Sequence, residues 1–167
     1  MSHHEHRAAS PTRIRCYVLT VSDTRTAETD TGGRLLRELL TGDGHDVLGH
    51  AIVPDEPATL RGAIERQLAT ETVQAVLTTG GTGISRRDGS FEVVSALIDK
   101  RIDGFGELFR ALSFEEIGPS AMLSRACAGT ARGKILISLP GSKNAVQLGM
   151  TRLVLPELGH LVREVTR

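Results

Sequence analysis

Three short stretches of this 167-residue chain carry residue types able to manage a phosphate-bearing ligand. The richest is Thr78-Thr79-Gly80-Gly81-Thr82-Gly83-Ile84-Ser85-Arg86-Arg87-Asp88. Its glycines let the backbone approach an anion closely, and its amides and hydroxyls are donors. The spacing is neither a Walker A loop, since no Lys-Ser/Thr follows, nor a GxGxxG dinucleotide fingerprint. Glycine-rich turns are often only tight turns, but a purely structural turn has no need of two arginines and an aspartate beside it. The second stretch, Pro140-Gly141-Ser142-Lys143, would start a helix whose N-terminus carries about half a positive charge. A simple capped helix start explains it equally well. The third, Ser22-Asp23-Thr24-Arg25, follows an apolar run.

Acidic residues beside an anion site require a reason. Asp23, Asp55 and Asp88 each follow an apolar run or the glycine turn. Next to bound phosphates they would repel, unless a divalent cation intervenes. Mg²⁺ suits that place because it takes one or two carboxylates and fills its other positions with water and phosphate oxygens. Other readings stand beside this one: Asp55 as a helix N-cap, Asp23 as an Asx turn, and Asp88 as a partner of Arg86 or Arg87.

Four apolar, β-rich runs position these loops: 14–21, 47–53, 75–79 and 135–139. Helical patterns lie between them. Leu35, Leu36, Leu39 and Leu40 form one stripe, ended by Gly42 and Gly44. Leu60, Ile64 and Leu68 recur at i, i+4, i+8 after Pro57. Phe91, Val94, Leu97 and Ile98 mark a third helix with Ser90 as its N-cap, and a fourth spans 104–118. The last begins near Ser142 and is interrupted by Pro156, which opens a new helical segment. Residues 119–133, rich in Ala, Gly and Ser, read as a hairpin or a loop. Alternating strand and helix predicts an open, mainly parallel sheet with helices on both faces. Ligands of such sheets bind beyond the carboxyl ends of the strands, where the three loops fall.

The composition removes several function classes. Lys plus Arg and Asp plus Glu number 20 each, so no net field recruits nucleic acid or an anionic membrane. Aromatics are 3% with no Trp, too few for stacking single-stranded bases. No apolar run reaches the roughly 18 residues that span a bilayer, and the N-terminus lacks a signal-peptide core. Cytoplasm is the expected location, and the isolated Cys16 and Cys127 fit a reducing compartment. No CxxC or HExxH pattern is present, and His45, His50 and His160 read as surface or satisfied residues. One domain over 13–167 is expected, preceded by a flexible tail, 1–12, that carries His3, His4 and His6.

The run from Thr78 to Gly83, followed by Arg87-Asp88, resembles the signature of the MoaB/MogA family of molybdenum-cofactor proteins. Residues 104–110 (GFGELFR) and 112–118 (LSFEEIG) are similar to the MoaB branch in particular. Ser124-Arg125-Ala126, Leu139 to Ser142 and Val21-Ser22-Asp23 extend the match over nearly the whole chain beyond Arg13. The resemblance implies a three-layer α/β/α sandwich on a mixed, mostly parallel sheet, assembled as a homo-trimer or homo-hexamer. It implies molybdopterin as ligand, and transfer of AMP from Mg-ATP to the terminal phosphate of molybdopterin with release of pyrophosphate. The family's functional acids correspond to Asp55 and Asp88, which would hold Mg²⁺. Its pterin- and phosphate-binding loops correspond to Ser22 and Asp23, to Thr79, Gly80, Gly81, Thr82, Gly83 and Ser85, and to Pro140, Gly141 and Ser142. Glu107 falls in the matching glycine-rich helix start.

The chemistry agrees with the residues. A phosphate monoester has a second pKa of about 6 and is largely ionised at neutral pH, so no strong base is needed. Holding a dianion against a polyphosphate is the difficulty: two unit charges at 4 Å interact by about 4 kcal/mol at an effective dielectric of about 20. Mg²⁺, amides, Lys143 and the arginine pair offset that repulsion. The alternative class is a molybdopterin-binding or scaffold protein without nucleotidyl transfer; retention of both Asp55 and Asp88 favours the enzyme. Phe105, Phe109 and Phe114, close together in one segment, would join an oligomer interface or fill the monomer's own core.

Overall fold

A computed structural model describes residues 8–167. Strand β1 (Arg15–Val21) sits beside β2 (Asp46–Val53) on one side and β3 (Ala75–Thr79) on the other, both parallel to it. Strand β6 (Lys134–Leu139) pairs parallel with β3, and β5 (Cys127–Ala131) and the short β4 (Lys100–Arg101) continue antiparallel. The order is β2-β1-β3-β6-β5-β4. Helices α1 (Thr31–Gly42), α2 (Pro57–Ala69), α3 (Ser90–Leu97), α4 (Asp103–Ile117), α5 (Lys143–Gly149) and α6 (Leu155–Thr166) complete the described chain, with a 3₁₀ segment at Gly118–Leu123 and a π segment at Met150–Val154.

Strand alternation divides the core in two. Cys16, Val18, Ala75, Leu77, Ile135, Ile137 and Leu139 point to one face, where α1, α4, α5 and α6 add Leu36, Leu40, Phe109, Val146 and Leu158. Leu19, Val21, Val76 and Leu136 point to the other, under Leu60 and Ile64 of α2 and Val93 and Val94 of α3. Helix α1 and helix α2 therefore cover opposite faces as the chain leaves β1 for β2 and β2 for β3. That reversal is the switch point at which open parallel sheets leave a crevice beyond their carboxyl ends. Register closes the geometry: Val21 pairs with Val53, Thr20 with Thr79, and Thr79 with Leu139. Four strands therefore end at one edge, and Ser22, Pro54, Gly80 and Pro140 all leave from it.

The sandwich matches the expected fold, with informative local differences. Helix α3 has Gly89 at its N-cap and no side-chain cap bond; Ser90 is buried and donates from Oγ to the Gly80 carbonyl, 2.8 Å away. Glu56, not Asp55, caps α2. Residues 127–139 form the β5–β6 hairpin through Arg132 and Gly133, both at positive φ. Pro156 lies in the first turn of α6, as a helix-opening proline should. Of the three phenylalanines, Phe109 is buried in the monomer core, Phe105 is half-buried and stacked on it with centroids 6.4 Å apart, and only Phe114 is exposed. Cys16 and Cys127 are free, buried, and in different halves of the core; burial pushes the Cys16 thiol up to about 12. Ser10 and Pro11 run against Gly159 of α6; His3, His4 and His6 lie outside the described residues. No described helix is long and apolar enough to cross a membrane.

One buried carboxylate joins α1 to the sheet. Asp30, 2% exposed, accepts from the Gly33 amide (2.9 Å) as the N-cap of α1 and from the Thr20 hydroxyl (2.6 Å) of β1. His50 of β2 is 3.2 Å from the same carboxylate and 2.9 Å from Thr20 Oγ1. Thr20 has one proton and gives it to Asp30, so its oxygen accepts from His50 Nε2–H. Burial holds the imidazole pKa below its ordinary value, with Arg37 acting in the same direction. Asp30→Ala leaves two buried donors unpaired and should cost about 2–4 kcal/mol in urea unfolding; Asp30→Asn, whose single acceptor oxygen can still cap Gly33 but not also accept from Thr20, should cost less than the alanine variant.

Candidate functional site

The glycine loop follows β3 because only glycine fits where the chain turns. Gly80 has φ +105° and its amide donates to the Leu139 carbonyl at 2.9 Å. A Cβ there would stand 2.2 Å from the Val21 carbonyl oxygen. Gly81 follows at φ +69°, where a Cβ would meet Ser90 Oγ at 2.3 Å and Asp55 Oδ2 at 2.6 Å. Successive positive φ values open the backbone into a concave run of amides suited to an anion. Among the described residues, the amides of Gly81, Thr82 and Gly83 donate to no protein acceptor. Thr79 Oγ1 donates to the Pro140 carbonyl at 2.8 Å, tying this loop to the turn after β6. Ser142 there caps α5 by accepting from the Ala145 amide at 3.1 Å.

The three aspartates converge here from different loops and occupy different electrostatic states. Asp23 accepts both Arg87 donors at 2.9 Å and the Asp55 amide at 3.0 Å. The Arg87 guanidinium holds its carboxyl below the usual carboxylate range. Both partners are well exposed, so water screens the pair and it adds little to stability; its effect is to neutralise Asp23. Asp55 is only 7% exposed. Its Oδ1 accepts from the Gly89 amide at 3.1 Å. Desolvation pushes its pKa up, aided by the charges of Asp88 and Asp23. Asp88 Oδ2 accepts from the Ser85 amide (2.9 Å) and hydroxyl (2.6 Å), so Ser85 rather than either arginine is its partner.

With Asp23 neutralised, two carboxylate charges remain unmatched at the loop. Among the described residues, Asp55 Oδ2 and Asp88 Oδ1 accept no hydrogen bond, and no three acidic, His or Cys side chains form a ready metal cage. That donor set suits Mg²⁺, which needs one or two carboxylates and completes its octahedron with water and phosphate oxygens. A cleft of about 310 Å³ adjoins the loop, lined by Thr20, Ser22, Arg25, Thr79, Gly141 and Ser142 with Asp30 at its wall. Ser22 shapes its rim, accepting from the amides of Thr24 and Arg25. Glu107 is exposed on α4 and enters no hydrogen bond with these loops.

Two contributors lie outside the expected site residues. Arg125 braces the glycine loop from behind: Nε and Nη2 donate to the Gly83 carbonyl at 2.9 and 2.6 Å, and Nη2 reaches the Asp88 carbonyl at 3.3 Å. It lies 42 residues from Gly83, so no local pattern announces the contact. Asp30 could have been found as an aspartate directly before a helical stripe, an N-cap signal.

The raised Asp55 pKa has a testable consequence. Its charged form is disfavoured in the native state, so the ligand-free fold is destabilised above the folded pKa, and this penalty fades as pH falls toward the ordinary carboxylate value. Asp55→Asn keeps an acceptor for Gly89. It should therefore melt above the wild type at pH 7, by about 2–4 °C per kcal/mol recovered, and the gap should close below about pH 4. A gap that persists at low pH would overturn the electrostatic explanation.

Comparison with known proteins agrees with this geometry. Residues 17–160 match the family described as a probable molybdopterin binding domain. The chain is 52% identical to molybdenum cofactor biosynthesis protein B of Bacillus cereus, covering 100% of this chain and 99% of the relative. A crystal structure of a molybdenum cofactor biosynthesis protein B superposes with TM-score 0.90 at 52% identity, covering 93% of this chain and 98% of that one. The tungsten cofactor synthesizing protein MoaB from Pyrococcus furiosus superposes at 0.80 with 36% identity, over 95% and 100% of the two chains. A shared fold, a family match across the sheet and all three loops, and half-identical relatives of equal length place this chain in the MoaB/MogA family of molybdenum-cofactor biosynthesis proteins, in its MoaB branch.

Proposed function

We propose that this protein acts in molybdenum-cofactor biosynthesis by binding molybdopterin and transferring AMP to its terminal phosphate from Mg-ATP, with release of pyrophosphate. The observation that carries the reading is the pair of unmatched carboxylate oxygens, Asp55 Oδ2 and Asp88 Oδ1, beside glycine-loop amides that donate to no protein acceptor among the described residues. A purely pterin-binding surface gains nothing from two acids held next to a phosphate cradle.

In this reading an oxygen of the molybdopterin phosphate bonds to the α-phosphorus of ATP. The bond from that phosphorus to the bridging oxygen breaks, and pyrophosphate leaves with the electron pair. The nucleophile is ionised near neutrality, so the protein supplies position and charge rather than a base. The amides of Gly81 to Gly83 hold phosphate oxygens, and the cleft at Ser22, Thr79 and Ser142 orients the pterin side. Asp55 and Asp88 would hold Mg²⁺, which supplies neutralisation of the crowded phosphates. Arg87 keeps Asp23 from adding a third negative charge, and Arg125 keeps the loop in register. Positioning of this kind supplies several kcal/mol toward the transition state.

Assembly as a homo-oligomer belongs to the same proposal. Leu108, Phe114, Ile117, Met122 and Leu123 are exposed along α4 and the segment after it, a run of large apolar side chains that self-association would cover. Sedimentation should give a trimer or a hexamer at micromolar concentration; a stable monomer would count against it.

The decisive measurement is pyrophosphate release from Mg-ATP with and without molybdopterin. Release should require molybdopterin and fall at least about 10²-fold in Asp88→Asn and in Asp55→Asn, with molybdopterin still bound. Turnover intact in both variants would refute the metal assignment. No turnover in the wild type, despite pterin binding, would establish a carrier or scaffold instead.

A further inference from the structure

Between α3, α4 and the start of β5 lies a second cavity, of about 270 Å³, which the transfer reaction does not use. Arg101, Arg110 and Arg125 line it together with Phe91, Gly106 and Ser124, and Asp103 is the one carboxylate on its wall among the described residues. The guanidinium carbons of Arg101 and Arg125 stand 5.2 and 5.1 Å from the centroid of the Phe91 ring. Such contacts hold a cation in place without neutralising it.

The carboxylates nearby do not balance these three charges. Arg125 pairs with Glu92, and Arg101 reaches Asp103 only at 3.9 Å. Among the described residues Arg110 pairs with no carboxylate; it makes two long bonds of 3.4 Å to the carbonyls of Ser124 and Ala126. Most of its five donors remain available. The wall is also shaped to receive it. A Cβ at Gly106 would lie 2.9 Å from the backbone carbonyl oxygen of Ala126 and 2.9 Å from Arg110 Nη2, so a methyl there would displace the guanidinium from its present position. Ser124 Oγ, on the same wall, is buried and has no hydrogen-bond partner. Gathering like charges around an unpaired buried hydroxyl is unfavourable unless an anion completes the set.

We propose that this cavity is a second anion-binding site, built for a compact tetrahedral oxyanion: phosphate, free or as the head of a small ester. Arg110 supplies the forked donor pair that such an oxyanion accepts, Arg101 adds charge from the Phe91 side, and Ser124 Oγ completes the shell, while Arg125 is held by Glu92 and the Gly83 carbonyl. The site is separate from the glycine loop, although Arg125 borders both. Arg110 and Gly106 serve only the cavity and are therefore the positions to change.

Titration calorimetry on the full chain, using inorganic phosphate and glycerol 3-phosphate as probes, tests this in the wild type, Arg110→Gln and Gly106→Ala. One class of phosphate binding should weaken at least about ten-fold in both variants, while the circular-dichroism spectrum and molybdopterin binding by fluorescence stay as in the wild type. Tighter binding of the ester would identify a small phosphate ester as occupant, and tighter binding of phosphate the free ion; either supports the site. Binding unchanged in both folded variants would overturn it. So would a changed sedimentation coefficient with phosphate binding unaffected, because the cavity would then seat an acidic residue of another copy. Should the wild type fail to bind molybdopterin, the proposed function fails while the phosphate titration still decides the cavity.

Discussion

The close approach of Gly80 to the Val21 carbonyl is the constraint on which the site depends. Strand β3 is buried on both faces and flanked by β1 and β6, so the chain leaving it has to turn within the thickness of the sheet. A backbone at φ +105° with no Cβ makes that turn and donates to Leu139 of the neighbouring strand. Three strand ends are thereby held together. Any side chain at this position would push β1 and β3 apart, and the amides that follow would no longer face one crevice.

From that turn the electrostatics follow in order. The loop folds over Asp55, whose side chain lies against Gly81, and desolvation raises its pKa. A buried carboxylate facing a second acid is unfavourable in the ligand-free protein, and the fold limits the cost locally. Gly89 donates to Asp55, Ser85 donates twice to Asp88, and Arg87 takes Asp23 out of the balance. Two negative charges still lack a partner. The ligand-free fold therefore carries an electrostatic cost at this loop that a neutral side chain in place of Asp55 would remove.

The same economy of charge appears around Arg125. One guanidinium clamps the loop carbonyls of Gly83 and Asp88, pairs with Glu92 and lies against Phe91. It therefore connects the acidic crevice on one side with an arginine-lined cavity on the other. The chain carries 20 basic and 20 acidic residues, so neither region follows from net charge. Both come from local segregation of charges that balance over the whole molecule.

Periodicity alone determined the strand–helix alternation, hence a mainly parallel sheet with helices on both faces, and it placed the three loops beyond the strand ends. Those features are local: side-chain spacing and turn residues act within a few positions. The glycine run with its neighbouring arginines and aspartate also marked where an anion would be held. Tertiary structure alone decided which acids are left unmatched. Asp23, Asp55 and Asp88 look alike in sequence, and Arg87 stands next to Asp88, yet it pairs with Asp23 64 residues away. It also decided that Ser90 supports Gly80 instead of capping α3, that Phe109 belongs to the core, and that Arg125 braces a loop 42 residues distant. The reason is physical: a carboxylate's charge state depends on desolvation and on partners brought near by the sheet, and neither quantity is written in the spacing along the chain.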